Sequence, residues 1–200
     1  MKRNEIKTCA DIAARAFFPY DYFTLFFPDE KQRMDYLHAI IASEYKANRK
    51  AAHFLELRDG VKLVGVVQLH APDYKKPSDL RYLLAGFAKI YKTADKPAIE
   101  SWLKMDADAG LPCHEMEKEA WYISSLVVDP GYQGRRFGSR MIDEVVIPYV
   151  RQHGGSRLCL FTNSEGNCRF YEKLGFRLFH TTSIEHNGRT MGSWSYVKEL

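Results

Sequence analysis

The sequence predicts a mixed α/β (α+β) protein, a twisted mixed β-sheet flanked by helices, and three observations carry that expectation. Trp121–Val128, WYISSLVV, is an apolar, β-branched run closed by Asp129-Pro130-Gly131, so it reads as a buried strand ending in a turn. Beyond it, RMIDEVVIPYV repeats Met141, Ile142, Val145, Val146 and Tyr149 at helical spacing. Two pairs of alternating runs, 51–58 with 61–70 and 177–185 with 189–198, are joined by Asp59-Gly60 and Asn187-Gly188, the dipeptides of two-residue hairpins.

The remaining elements follow in chain order. A first strand is expected within residues 2–8. Residues 9–17 and about 29–48 read as helices, the second opening on acids at Asp29 and Glu30 and carrying Met34, Leu37, Ile40, Ile41 and Tyr45 on one face. Between them, FFPYDYFTLFFPDE is aromatic-rich and broken by two prolines, which predicts a packed loop. The pattern changes at 71–119, a stretch with Pro72, Pro77, Pro97 and Pro112, many charges and helical segments near 80–92 and 97–104. Too few apolar residues occur there for a core of its own, so it is expected as an insertion beside the active-site cleft of a single domain spanning 1–200. Arg157–Thr162 reads as a short buried strand, and 167–174 as a short helix closed by Gly175.

Composition narrows the function. At 200 residues and 46% hydrophobic, the chain can bury a substantial core. Its net charge of +4 is mild, and no basic run is long enough to suggest nucleic acid or a membrane surface as partner. Four cysteines lack C-x-x-C pairing, and seven histidines lack an H-E-x-x-H pattern, so no metal is expected. MKRNEIKTCAD has no apolar core of a signal peptide, and no stretch approaches the roughly 20 apolar residues of a membrane span. These features predict a reduced, cytoplasmic protein, monomer or homodimer.

Between the organising strand and its helix lies Gln133-Gly134-Arg135-Arg136-Phe137-Gly138, a basic loop bearing glycines at a helix start. Backbone N–H groups and the positive end of the dipole converge there, an arrangement suited to phosphate.

These residues resemble motif A of the GNAT acetyltransferases, Gln/Arg-x-x-Gly-x-Gly/Ala after a strand of the form Leu-x-Val-x-Pro. Leu126, Val128, Pro130, Gln133 and Gly138 match, with Tyr132 and Gly134 in accessory positions. LCLFTNSEGNCRFYEKLGFRLF resembles motif B, with Phe-Tyr-Glu-Lys-Leu-Gly-Phe at 170–176. The pattern departs at Arg136, where the family has its central glycine; backbone approach to a pyrophosphate there is expected to need an ordinary negative φ.

The resemblance implies a GNAT fold with a V-shaped splay between its fourth and fifth strands, and an acetyl-CoA-dependent N-acetyltransferase acting on a small-molecule amine. A peptide or protein N-acetyltransferase, or an acyl-CoA-binding sensor without turnover, are the alternatives. It implies that acetyl-CoA lies in the splay, its pantetheine amides along Leu126, Val127 and Val128, and its pyrophosphate on the N–H groups of Gly134, Arg135, Arg136, Phe137, Gly138 and Ser139, beside Gln133. It also places Asn167 on the cofactor arm and Tyr171 at the thioester sulfur as general acid. The other readings are a helix N-cap for Asn167 and a core tyrosine for Tyr171. Glu117 leads the candidates for general base, with Glu115, Glu119 and His114 beside it. The early aromatic loop is expected to line the acceptor pocket.

Overall fold

The computed structural model describes residues 5–116 and 119–200. Its elements run α1 (Ile6–Phe17), α2 (Asp21–Thr24), α3 (Glu30–Asn48), β1 (His53–Asp59), β2 (Lys62–His70), α4 (Asp79–Ala85), a 3-10 turn (Phe87–Lys92), α5 (Lys96–Met116), β3 (Trp121–Val128), α6 (Phe137–Arg140), a π-helical stretch (Met141–Val146), α7 (Ile147–Gln152), β4 (Arg157–Thr162), α8 (Glu165–Lys173), β5 (Arg177–His186) and β6 (Arg189–Glu199). The strands form one sheet in the order β1-β2-β3-β4-β6-β5. Every neighbouring pair is antiparallel except β3 and β4.

Each face of the sheet carries a hydrophobic layer. On one, α1, α2, α3 and α5 bury Ala13, Phe27, Tyr36, Leu37 and Trp102 against Val66 and Val127. On the other, the helical run from Phe137 buries Met141, Ile142, Val146 and Val150 against Val64, Leu69 and Ile123.

Two expectations are corrected. The first strand is not seen: Ile6 to Thr8 are helical and residues 2–4 lie outside the described region. Ile6, Cys9, Ala10, Ala13 and Ala14 recur at intervals of three and four, so burial of that stripe carries the helix back to Ile6. Likewise α5 continues past 104, through Pro112, to Met116. A proline deletes one helical hydrogen bond, and the bond lost here is to exposed Asp108, whose carbonyl water can satisfy. Both hairpins form; Asn187 and Gly188 have φ of 51° and 73°, the left-handed pair of a type I′ turn.

Candidate active site

The site begins where two strands part. β3 and β4 pair only at Trp121 with Leu158 and Tyr122 with Cys159. Beyond Tyr122, the edge of β3 that faces β4 has no strand partner among the described residues, while its other edge stays paired with β2 as far as Val128. Gly155, just before β4, closes the paired end: a Cβ there would lie 2.5 Å from both Trp121 Nε1 and Val150 Cγ1.

A bulge sits at the point of separation. Gln68 opposes Ser125 and Leu69 opposes Ile123, so Ser124 is an extra residue in β3. Because side chains alternate with period two, the insertion swaps faces: Trp121 and Ile123 share a layer with Leu126 and Val128, while Val127 turns to the opposite layer.

The loop after β3 is held from below. Asp129 accepts from Gly131 N–H at 3.0 Å and from Arg15 at 2.9 Å. Burial raises its carboxyl, but those two donors outweigh it and hold it below the usual range. Gln133 donates through Nε2 to Val128 O at 3.1 Å, fastening the loop to the strand end. Gly134 has φ of 74°, and so does Arg136 nearly, at 64°. The negative φ that backbone approach was expected to need at Arg136 is therefore absent: this chain keeps the left-handed bend that glycine favours while carrying a side chain through it.

Arg140 N–H bonds to Arg136 O at 3.0 Å, closing the first turn. The N–H groups of Phe137, Gly138 and Ser139 precede it, where a helix has no carbonyl of its own to offer. Phe137 is buried, so only its backbone faces the loop. Gly138 lets α8 approach, since a Cβ would meet Phe170 Cζ at 3.2 Å. Arg135 lies over the Tyr132 and Phe137 rings, 3.9 Å from Asp59, and Arg136 is exposed. Downstream the helix widens, with Ile147 N–H reaching Ile142 O five residues back. Pro148 in the next turn has no N–H to continue the regular ladder, which accounts for the π register ahead of it.

Asn167 and Tyr171 share one face of α8 and both open on a cavity of about 320 Å³. Ser164, not Asn167, occupies the N-cap position of α8. Asn167 Nδ2 donates to Thr162 Oγ1 at 3.2 Å; that hydroxyl also meets Tyr20 OH at 2.8 Å, and Tyr20 OH accepts from Asn163 N–H at 2.8 Å. Tyr171 is 7% exposed, its ring against Phe176, and burial pushes its phenol well above the usual range. Among the described residues nothing hydrogen-bonds its hydroxyl. Ring packing and cavity access thus coexist in one side chain.

The cavity continues away from the splay, walled by Tyr20, Tyr22 and Phe23 of the aromatic segment, Glu44 and Tyr45 of α3, Tyr74 and Tyr82, and Trp102, Asp106 and His114 of α5. Trp102, Asp106, Gly110 and His114 recur every four residues along one face of α5, and a Cβ on Gly110 would press on His114 at 3.0 Å. Among the sequence candidates for base, Glu117 lies outside the described residues. Glu119 pairs with Arg157 at 2.9 Å, and Glu115 lines a different hollow between α5 and β5. His114 is the candidate that lines this cavity. The sequence reading missed Glu44 and Asp106. Their signal was an acid one turn after Ile40 on the buried stripe of α3, and one turn after Trp102 on α5.

The fold and splay define an acyltransferase of the acyl-CoA-dependent kind, and comparison with known families agrees. Residues 13–176 match the acetyltransferase (GNAT) family, and the chain belongs to it. Its structure is similar to a histone acetyltransferase HPA2 and related acetyltransferase from Corynebacterium glutamicum (TM-score 0.64, 17% identity, covering 98% of this chain and 92% of that one). An agmatine N-acetyltransferase (TM-score 0.63, 14% identity, 100% and 97% covered) and the ribosomal-protein-S18-alanine N-acetyltransferase from Escherichia coli (0.56, 12%, 100% and 90%) share the fold as well. Members of this family are N-acetyltransferases, and acetyl-CoA is the donor their fold uses. No helix among the described residues is long and apolar enough to cross a membrane, and no group of three or more metal-ligating side chains occurs among them.

Proposed function

We propose that the chain transfers an acetyl group from acetyl-CoA directly to the primary amine of a small-molecule acceptor. The observation that carries this reading is the continuity between the opened edge of β3 and a cavity of about 320 Å³. That size falls within the range of about 300–1,000 Å³ usual for small-molecule sites. Helices α3 and α5 and the segment bearing Tyr74 and Tyr82 wall the cavity, which favours a compact acceptor over an extended peptide.

The residues present fit the donor. The open edge of β3 along Leu126, Val127 and Val128 suits amides added as a further strand. The left-handed turns at Gly134 and Arg136 present the N–H groups of 134–139 to a pyrophosphate, and Arg135 and Arg136 add charge. Acetyl-CoA supplies the activated acyl carbon; the chain positions it and moves protons. As the amine nitrogen forms its bond to the acyl carbon and the carbon–sulfur bond breaks, His114, through water, takes the proton the amine must lose. Tyr171 donates one to the departing thiolate, so charge balances. Backbone N–H at Val128, on the open edge past the bulge, faces the developing oxyanion, while alternation turns Val127 N–H toward β2. Asn167, tethered to Thr162, orients the cofactor arm. Cys168 is no nucleophile in this scheme: burial raises its thiol, and transfer is direct. We take the compartment to be the cytoplasm, where the four free thiols stay reduced.

Thiol release and product mass across a panel of primary amines test the reading. We expect one thiol freed per N-acetylated amine. A protein that binds CoA yet frees no thiol with any amine or N-terminal peptide is an acyl-CoA sensor.

A further inference from the structure

The cavity wall carries two carboxyl groups that the transfer scheme leaves unused. Glu44 Oε2 accepts from Asn48 Nδ2 at 2.9 Å and from Tyr82 OH at 3.2 Å, and Asn48 Oδ1 in turn accepts from Tyr74 OH at 2.7 Å. Asp106 Oδ1 accepts from Tyr22 OH. Each acid is thus fixed at one oxygen and opens on the same cavity from a different helix. Both are raised first by burial, Glu44 to about 7 with the charge of Asp106 as its second cause, so the Asp106 charge reaches Glu44. Lys76 at the exposed rim offsets one negative charge, and His114, whose positive charge would offset Asp106, has to be neutral to take the amine's proton. Rings of Tyr22, Tyr45, Tyr74, Tyr82 and Trp102 complete the enclosure.

Charge neutrality then constrains the ligand. The nitrogen that attacks a thioester must be neutral at that moment, so it cannot be the cation that matches these acids. We propose that the acceptor carries a second cationic nitrogen, an ammonium or a guanidinium, seated between Glu44 and Asp106 within the aromatic enclosure while the first nitrogen reaches the thioester. Carboxylates and ring faces both attract such a group, and removal from bulk water strengthens both. The proposal rests on the transferase reading.

Cadaverine and hexylamine have the same number of heavy atoms and differ by one terminal cation, and agmatine carries a guanidinium on a four-carbon chain. We expect kcat/KM for cadaverine or agmatine to exceed that for hexylamine by about tenfold or more, the factor that one charge-assisted contact carries. Glu44→Gln and Asp106→Asn, which keep shape and hydrogen bonding, should bring that ratio toward unity. Calorimetric titration of the amines into CoA-loaded protein should show the same preference and the same loss. A ratio near unity in the wild type, or one unmoved by both variants, overturns the proposal while acetylation of all three amines leaves the transferase reading intact. If these three and the wider panel of amines and N-terminal peptides all go unacetylated but cadaverine binds in a Glu44-dependent manner, the transferase reading falls and the cation seat stands.

Discussion

At the scale of single residues, Tyr171, Arg136 and Glu44 each combine a structural environment with a proposed chemical task. Tyr171→Phe keeps the ring against Phe176 and removes only a hydroxyl that no described residue binds. Steady-state kinetics should therefore show kcat reduced by about tenfold or more, with acetyl-CoA affinity and Tm nearly unchanged. An unaltered kcat, where chemistry limits the rate, would give the proton to water instead. Arg136 at φ 64° occupies a conformation that costs an L-residue roughly 1–2 kcal/mol, part of which glycine would lose again as chain entropy. Arg136→Gly should thus raise stability in denaturant by about 0.5–1 kcal/mol while weakening CoA binding and flattening its salt dependence. Tighter CoA binding would mark the guanidinium as an obstruction. For Glu44 the sign follows from a folded value raised to about 7 from the ordinary 4.5. The native state holds this proton more firmly than the unfolded chain. Its contribution is complete below 4.5 and lost as pH rises to about 7, on the order of 3 kcal/mol. Asp106 from α5, Tyr82 from α4, Tyr74 and Lys76 from the connecting segment, and Asn48 on its own helix all face this carboxyl and share in that balance. Melting curves of Glu44→Gln should be flatter than wild type across that window.

At the scale of elements, what the sequence displayed and what it hid separate by the range of the cause. β3 and both hairpins were legible because alternation and turn dipeptides act within a few residues. The α1 start was missed because only the tertiary burial of Ile6 fixes it, and the full length of α5 was missed because Pro112 breaks a rule that an exposed carbonyl relaxes locally. The proposed cofactor half of the site lies on one strand, loop and helix contiguous in sequence, so its residues could be nominated together. The proposed acceptor half is assembled from α3, α5 and two loops; no spacing within either helix announces that Glu44 and Asp106 share a cavity. The splay itself depends on a close contact at its joined end. Gly155→Ala would drive a Cβ into Trp121 and Val150, both buried. We expect equilibrium unfolding to show a loss of about 1–3 kcal/mol, the usual cost of overpacking.

At the scale of the whole molecule, two helical layers hold one sheet from opposite faces, and the sheet opens between β3 and β4, the one parallel pair among the described residues. The loop from Gln133 lies on one side of that opening and α8 on the other, with Gly138 and Phe170 in near contact across it. A ligand that supplies the missing strand therefore also joins the two halves of the fold, and its binding should raise Tm in proportion to its occupancy. Everything proposed for the acceptor side presumes that the opened edge of β3 and the loop at 133–139 form an acyl-CoA site. Calorimetric titration of CoA into the wild-type chain tests that presumption most directly. One CoA should bind per chain with micromolar-scale affinity that weakens as salt is added, whereas no heat and no Tm shift at millimolar CoA would contradict the account at its root.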